Sequence, residues 1–347
     1  MNRATDTAAS RSVLSRKYRL TADWNAVEIE AVSGGFSGAG VFKVESTAGT
    51  YCLRRWPVSQ TSSTRVLAIH QLLELANHRS IAAVPVPVRA DSGTTLSEVA
   101  GGFWQLEPWM PGVADFSTRP NDERLKSAMT QLARFHKAIR DWGPPAQVSQ
   151  WFRPESLSPC PTVRHRIQLL DGYAASVADF KAALAKEHDA RFRAVSSQIV
   201  MLFQTAHPGV KQELAAVAEL SVPLQPCIRD VWHDHLLFDG DELSGIVDFG
   251  AMATDSVSCD LSRLLGSLFS DDPAWWQQGL SHYESARPMT EAEHRLLRPL
   301  DRSSVLLSGM TWLKRRYVLR NTPADLSPVC DRLDAIQGRL TTLARSF

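Results

Sequence analysis

The sequence predicts an α+β protein. Three observations carry this. Three strands follow one another near the N-terminus with no helix between them. From about Asn121 the apolar spacing turns helical. A short hairpin, turning at Asp239-Gly240-Asp241, then stands among those helices.

Taken in order, Met1 to Ser15 is polar, rich in Ala, Ser and Thr, and lacks the apolar core of a secretory signal. Residues 1–24 are expected to form a flexible tail. Val27 to Val32 alternates like a half-buried strand, Val41 to Val44 forms the next, and Tyr51 to Trp56 a third, ended by Pro57. Together they read as an antiparallel meander. Arg65 to Asn77 carries Val66, Ile69, Leu72, Leu73 and Ala76 at helical spacing. Val84-Pro85-Val86-Pro87-Val88 is an extended link. Phe103 to Glu107 is another strand, running into the rigid connector Pro108-Trp109-Met110-Pro111-Gly112. The connector predicts a boundary between an N-terminal lobe, 25–110, and a mostly helical C-terminal lobe, 111–347. Beyond it, Leu125, Met129, Leu132, Ala133, Phe135 and Ile139 mark one helix face, with Asp122 and Glu123 suiting its start. Val163 to about Leu220, Cys259 to Leu268 and Thr290 to Leu319 are also helical by spacing.

Two acids, Asp230 and Asp248, carry the chemistry. Each reads as the end of a short apolar strand, and the turn between them predicts that these strands are antiparallel neighbours. Two carboxylates held close can divide the work of phosphoryl transfer. One accepts a proton from a hydroxyl and the other holds Mg²⁺ on the nucleotide phosphates, as in protein kinases.

Bulk composition excludes other classes. With 44% apolar and 22% charged residues over 347, the chain is ordinary for a globular protein. A net charge of +1 gives no basic face for nucleic acid. No apolar stretch reaches bilayer-spanning length, so no membrane partner is expected. Five scattered cysteines form no close metal-ligand pair and suit a reducing cytoplasm.

At the nucleotide end, Gly34, Gly35, Phe36, Ser37 and Gly38 form a glycine-rich turn between strands. There, backbone N–H groups can approach phosphates. The plainer alternative is a hairpin loop only. Arg54, on the following strand, stands about where a kinase-like fold puts its phosphate-binding Lys; alternatively, Arg54 and Arg55 simply point opposite ways from a surface strand. Glu107 and Trp109 flank Pro108 and are expected to read the adenine edge by backbone groups. Because Pro108 has no N–H, Trp109 is the expected donor.

In that order, Ser33-Gly34-Gly35-Phe36-Ser37, Leu53-Arg54, Val84-Pro85-Val86-Pro87, Pro111-Gly112, Leu132-Ala133-Arg134-Phe135-His136, Asp230 and Asp248-Phe249-Gly250 resemble the aminoglycoside phosphotransferase and choline kinase-like group over roughly residues 25–320. The spacing from Asp248 to Cys259-Asp260-Leu261 is most similar to the homoserine kinase-like branch. The resemblance implies a two-lobed protein-kinase-like fold, ATP and Mg²⁺ as cofactors, Asp230 as catalytic acid/base and Asp248 as main metal ligand. It implies that Asp260 braces the catalytic loop; read alone, Asp260 is a helix N-cap.

The chain departs from that pattern in three places. Ile228 and Arg229 replace the His and Gly of His-Gly-Asp, and His235 replaces the metal-holding Asn. His235 either binds metal, which would suit Mn²⁺ better than Mg²⁺, or only hydrogen-bonds Asp230, with Asp234 as another source of the lost oxygen. The helix from Arg65 offers only His70, Gln71 and Glu74 where a Glu should pair with the phosphate-binding cation. Trp232, two residues from Asp230, can hold an amine by cation–π contact, and acidic loops for a polycationic antibiotic are not evident. The expected activity is ATP-dependent phosphorylation of a hydroxyl on a small metabolite, homoserine-like or an amino alcohol. The alternative is a non-catalytic nucleotide- or ligand-binding protein on the same fold.

Overall fold

The computed structural model describes residues 3–18, 27–32, 39–57 and 62–347. In chain order the elements begin with α1 (Arg3–Lys17), β1 (Glu28–Val32), β2 (Gly40–Ser46), β3 (Gly49–Arg55), α2 (Ser63–His78), β4 (Ser97–Val99), β5 (Gly102–Pro108) and α3 (Asp122–Ile139). Then come β6 (Ser156–Pro159), α4 (Pro161–Ala175), α5 (Val177–Leu184), α6 (Ala190–Ala215), β7 (Ser221–Cys227), β8 (Leu236–Asp239) and β9 (Glu242–Ile246). The chain ends with β10 (Ala253–Asp255), α7 (Val257–Phe269), α8 (Pro273–Glu284), α9 (Glu291–Tyr317) and α10 (Ser327–Ala344). Contacts divide it into two units. The first holds Met1–Glu155, Gln225–Thr254 and Ala274–Pro288; the second holds Ser156–Leu224, Asp255–Pro273 and Met289–Phe347. The boundary expected near residue 110 therefore falls inside the first unit.

In the first unit the meander is antiparallel, in the order β1-β2-β3-β5-β4. Strand alternation sorts its side chains. Leu53 lies opposite Leu106 and both are fully buried, with Phe42, Val44 and Trp104 in the same cluster. Their neighbours Cys52, Arg54, Gln105 and Glu107 point to the other face, because Cys52 pairs with Glu107 and Arg54 with Gln105.

Of the tail expected over 1–24, the described residues 3–18 include the helix α1. Val13, Leu14 and the following Tyr18 are buried in the cluster with Phe42 and Leu53. The helix is mostly polar, so its spacing carries little signal. Among its described side chains, Val13 and Leu14 supply the buried apolar contact, and the sheet supplies the rest of the apolar surface.

Helix α3 starts at Asn121, whose side chain accepts from the Arg124 N–H at 2.8 Å. The predicted hairpin is β8–β9, with Gly240 at φ 59 in its two-residue turn. It is tied to the chain after β5, where Val113 and Phe238 exchange backbone bonds of 3.0 Å each. Only glycine fits at Gly112, which has φ 93 and where a Cβ would lie 2.6 Å from the Phe238 carbonyl oxygen.

The second unit is a helical core. On α6, Phe192, Ile199, Phe203 and Val210 repeat at helical spacing, facing Leu306 and Leu313 of α9 and Leu333 and Leu340 of α10. Gly309 lets α6 and α9 approach closely, since a Cβ there would stand 2.5 Å from Ile199 Cγ2. Thr290 and Glu293 close a capping box on α9. Burial opposes the charge of Glu187, but Arg316, the Asp189 N–H and the Tyr317 hydroxyl outweigh it and pull its pKa down to about 2.

Candidate active site

All the residues of the site belong to the first unit. Strand β3 aims Arg54 from the polar face of the sheet. Just beyond β9, Asp248 adopts left-handed backbone at φ 64, and its carboxylate accepts from the Gly250 N–H at 3.4 Å. Asp tolerates this region better than most residues. The bend turns the carboxylate back towards β3. There Arg54 Nη2 donates to Asp248 Oδ1 at 2.6 Å. Phe249 turns the other way, into the core, with its ring 5.5 Å from Phe135 of α3. At Gly250 a Cβ would sit 3.3 Å from Asp248 Oδ1, a tight contact with the carboxylate.

Each charge holds the other. Burial opposes ionisation of Asp248, but the charge and hydrogen bond of Arg54 outweigh it and its pKa falls. Burial likewise works against Arg54, whose guanidinium also lies 5.0 Å over Trp56, and Asp248 and Glu107 outweigh it.

Behind Arg54 lies a buried relay that sequence reasoning missed. Gln105 Oε1 accepts from Trp56 Nε1 at 2.7 Å and lies 2.9 Å from His70 Nε2. The amide oxygen can only accept, so His70 carries its proton on Nε2. His70 Nδ1 then accepts from Thr95 Oγ1 at 2.7 Å. Gln105 Nε2 passes the chain on to Glu107 Oε2 at 2.5 Å. Burial pushes His70 down to about 4 and Glu107 up to about 6, the latter despite Arg54 and Gln105. His70, Gln105, Glu107, Arg54, Trp56 and Asp248 line a small, shallow recess. Of the three candidates on α2, His70 faces this recess, while Glu74 pairs with Arg89 at 2.5 Å. The second negative charge near Arg54 comes instead from Glu107 on β5. The signal available was the alternation of Gln105 and Glu107 on one strand face.

Asp230 stands on a different element from the one expected. Asp230 follows β7, and β7 pairs with β6 through Ser156↔Leu224, not with β9. The hairpin strands are β8 and β9, so Asp230 sits on an irregular loop ahead of β8. His235 links this loop to Asp248. Its Nδ1 donates to the Asp230 carbonyl at 2.8 Å, and its Nε2 accepts from Trp232 Nε1 at 2.9 Å. Indole N–H can only donate, which fixes this tautomer. The same Nε2 lies 3.9 Å from Asp248 Oδ2, and the Val247 N–H donates to the His235 carbonyl at 3.0 Å. Ile228 is fully buried. Arg229 holds φ 69, the left-handed backbone that a Gly at this place adopts without cost.

Three other expectations are settled or set aside. Gly34, Gly35, Phe36, Ser37 and Gly38 lie outside the described residues. The Trp109 N–H, expected to face adenine, donates to the Thr50 carbonyl at 3.1 Å, and its ring is partly exposed beside Lys43. Sheet pairing with β3 extends past Pro108 and uses that donor. Asp260 is not the N-cap of α7. Ser256 caps it, accepting from the Ser258 N–H at 3.3 Å, and Asp260 is buried in the first turn.

A family model described as "Phosphotransferase enzyme family" matches residues 28–300. The chain belongs to this family. Its activity is accordingly transfer of a phosphoryl group to a hydroxyl. Among curated relatives, a homoserine kinase of Gluconobacter oxydans (strain 621H) is 27% identical over 246 residues, 70% of this chain and 67% of that protein. Two solved structures share the protein-kinase-like fold. A microcompartment-associated aminopropanol kinase has TM-score 0.63 at 13% identity, covering 98% of this chain and 97% of the other. An amicoumacin kinase solved in complex with AMP-PNP, Ca²⁺ and Ami has TM-score 0.61 at 15% identity, covering 97% of this chain and 96% of the other. Among the described residues no helix is long and apolar enough to cross a membrane.

Proposed function

We propose that this phosphotransferase uses ATP and a divalent cation, Mg²⁺ in the first instance, to phosphorylate the hydroxyl of a small amino alcohol or hydroxy amino acid. The observation that supports this most is the contact of Arg54 with Asp248 beside the Asp230 loop. Two of the proteins it resembles are a homoserine kinase and an aminopropanol kinase. The nucleotide and cation of the amicoumacin kinase complex support the cofactor pair.

The residues fit a metal. Asp248 Oδ1 is engaged by Arg54 and Gly250, while Oδ2 has no hydrogen bond among the described residues. Asp248 would hold the cation, which when bound neutralises phosphate charge. Arg54 positions the phosphates by a permanent charge that Glu107 and Asp248 sustain. Asp230 orients the acceptor hydroxyl and takes its proton. His235 acts as a brace in this reading, because both of its ring nitrogens already have partners. Trp232 stands beside the acid with its indole edge fixed by His235, where an acceptor's ammonium group can lie against the ring. With both acids and Arg54 in place, a non-catalytic role is disfavoured.

The test is ADP release with a panel of short amino alcohols and hydroxy amino acids, homoserine included, against aminoglycosides. Turnover confined to the small acceptors is expected. Turnover only with aminoglycosides would refute the substrate class.

A further inference from the structure

A second cluster of ligating side chains lies within the second unit. Cys160 is the N-cap residue of α4, Asp255 ends β10, and Cys259 stands in the first turn of α7. All three are buried, at 1%, 0% and 4% exposure. The thiols lie 3.9 Å apart, and each is 3.2 Å from Asp255 Oδ1. These edges are close to one face of a small tetrahedron. Sulfur about 2.3 Å and oxygen about 2.0–2.2 Å from a zinc ion leave ligands roughly 3.5–3.8 Å apart.

The surroundings support ligation. Thr162 Oγ1 donates to Asp255 Oδ2 at 2.5 Å and the Ser256 N–H to Oδ1 at 3.0 Å, so the carboxylate is oriented by groups behind it. Both cysteines sit at helix N-termini, but the hydrogen bond with Cys160, burial and Asp255 together push the Cys259 thiol up, so the proton leaves only when a metal replaces it. Charge also balances. Zinc with two thiolates and one carboxylate carries one net negative charge, and the half-buried guanidinium of Arg166 in α4 feels all three ligands.

We propose that Cys160, Asp255 and Cys259 form a binding site for a thiophilic divalent ion of the zinc class, fastening the start of α4 to the start of α7. Without metal, both thiols are protonated and donate to Asp255. Binding replaces these two protons: one M²⁺ enters, two S–H bonds break, two M–S bonds form and two protons leave. No oxidant or reductant is involved. Asp255's second oxygen or a water fills the fourth corner.

The test uses Co²⁺ as a spectroscopic stand-in. The full chain is produced in medium supplemented with Co²⁺ or Zn²⁺ and desalted, and its metal content is measured. Wild type should hold one tightly bound ion per chain and show a thiolate-to-cobalt charge-transfer band. An oxygen-ligated Mg²⁺ site cannot give that band, so the result is independent of the proposed kinase activity. Cys160→Ser and Cys259→Ser should each lose the band, while Cys330→Ser keeps it. Adding Zn²⁺ to metal-free wild type should release two protons per ion bound. Folded wild type with no such band and no more metal than the double serine variant would overturn the proposal, whatever the variants do.

Discussion

Arg54 donates to Asp248 at 2.6 Å, so the cation proposed for phosphate and the carboxylate proposed for metal neutralise each other. The guanidinium side of the pair is largely buried. Removing one member strands the other charge, whereas removing both does not. Arg54→Gln and Asp248→Asn should each lower stability by about 1–3 kcal/mol, and the double variant by clearly less than their sum. Chemical denaturation of the four proteins gives the coupling. Strict additivity would show that the pair contributes nothing to the fold.

The Thr95–His70–Gln105–Glu107 relay predicts an unusual pH dependence. Burial holds His70 at about 4, below its ordinary 6.5, so the unfolded chain takes up a proton that the native protein refuses. That contribution to stability falls as pH drops from 6.5 to 4, by about 3 kcal/mol in all. Glu107 works in the opposite sense. Burial raises it from 4.5 to about 6, so its contribution is complete below pH 4.5 and is lost as pH rises through 6, by about 2 kcal/mol. Between pH 4.5 and 6 the two slopes cancel. Relative to wild type, His70→Gln should lose about 1.4 kcal/mol per pH unit as pH rises through this window, and Glu107→Gln should gain as much. Urea titrations at several pH values read both slopes. Parallel curves for the three proteins would contradict the relay's assigned protonation.

Such a relay could not be read from the sequence, although its members are plain there. Gln105 and Glu107 share a strand face, but the partner across that face, His70, is set by how α2 lies on the sheet. By contrast, the meander, α2, α3, α7, α9 and the hairpin at Gly240 follow from apolar spacing and turn chemistry. The direct contact of Arg54 with Asp248 is not legible there, since the sequence points to the helix from Arg65 for the partner of Arg54. Strand β7 was half hidden, since Pro223 and Pro226 argue against a strand that the structure nevertheless forms. For α1 the apolar signal is two residues, and only the sheet beneath gives them meaning. Trp109 shows the limit of motif transfer: its N–H was free in the sequence and is taken by Thr50 in the fold.

His235 offers a test of brace against ligand. With Nδ1 on the Asp230 carbonyl and Nε2 on Trp232, its substitution should disturb the loop and not the metal. His235→Asn should leave the ratio of Mg²⁺- to Mn²⁺-supported turnover unchanged, and His235→Phe should cut turnover about tenfold or more in both metals through misplacement of Asp230. A shift of the ratio towards Mg²⁺ in His235→Asn would restore the ligand reading.

Arg229 carries a backbone cost next to the acid. At φ 69 a side chain is disfavoured by roughly 1–2 kcal/mol, most of all when it is β-branched. Arg229→Gly should therefore unfold at a temperature no lower than wild type, and Arg229→Val several degrees lower. Thermal melts in the absence of ligand rank the three. A valine variant as stable as wild type would mean that the loop is not held in this conformation.

The central claim is that Asp230 performs proton transfer while the groups around Asp248 hold the nucleotide. The direct measurement sets Asp230→Asn against wild type, with ADP release and nucleotide affinity determined on the same preparations and an acceptor found in the panel. Nucleotide affinity should stay within about twofold, while turnover falls by about 10²–10⁴-fold, the usual worth of a positioned acid/base group. Turnover equal to wild type, with the substitution verified and the acceptor saturating, would contradict the account.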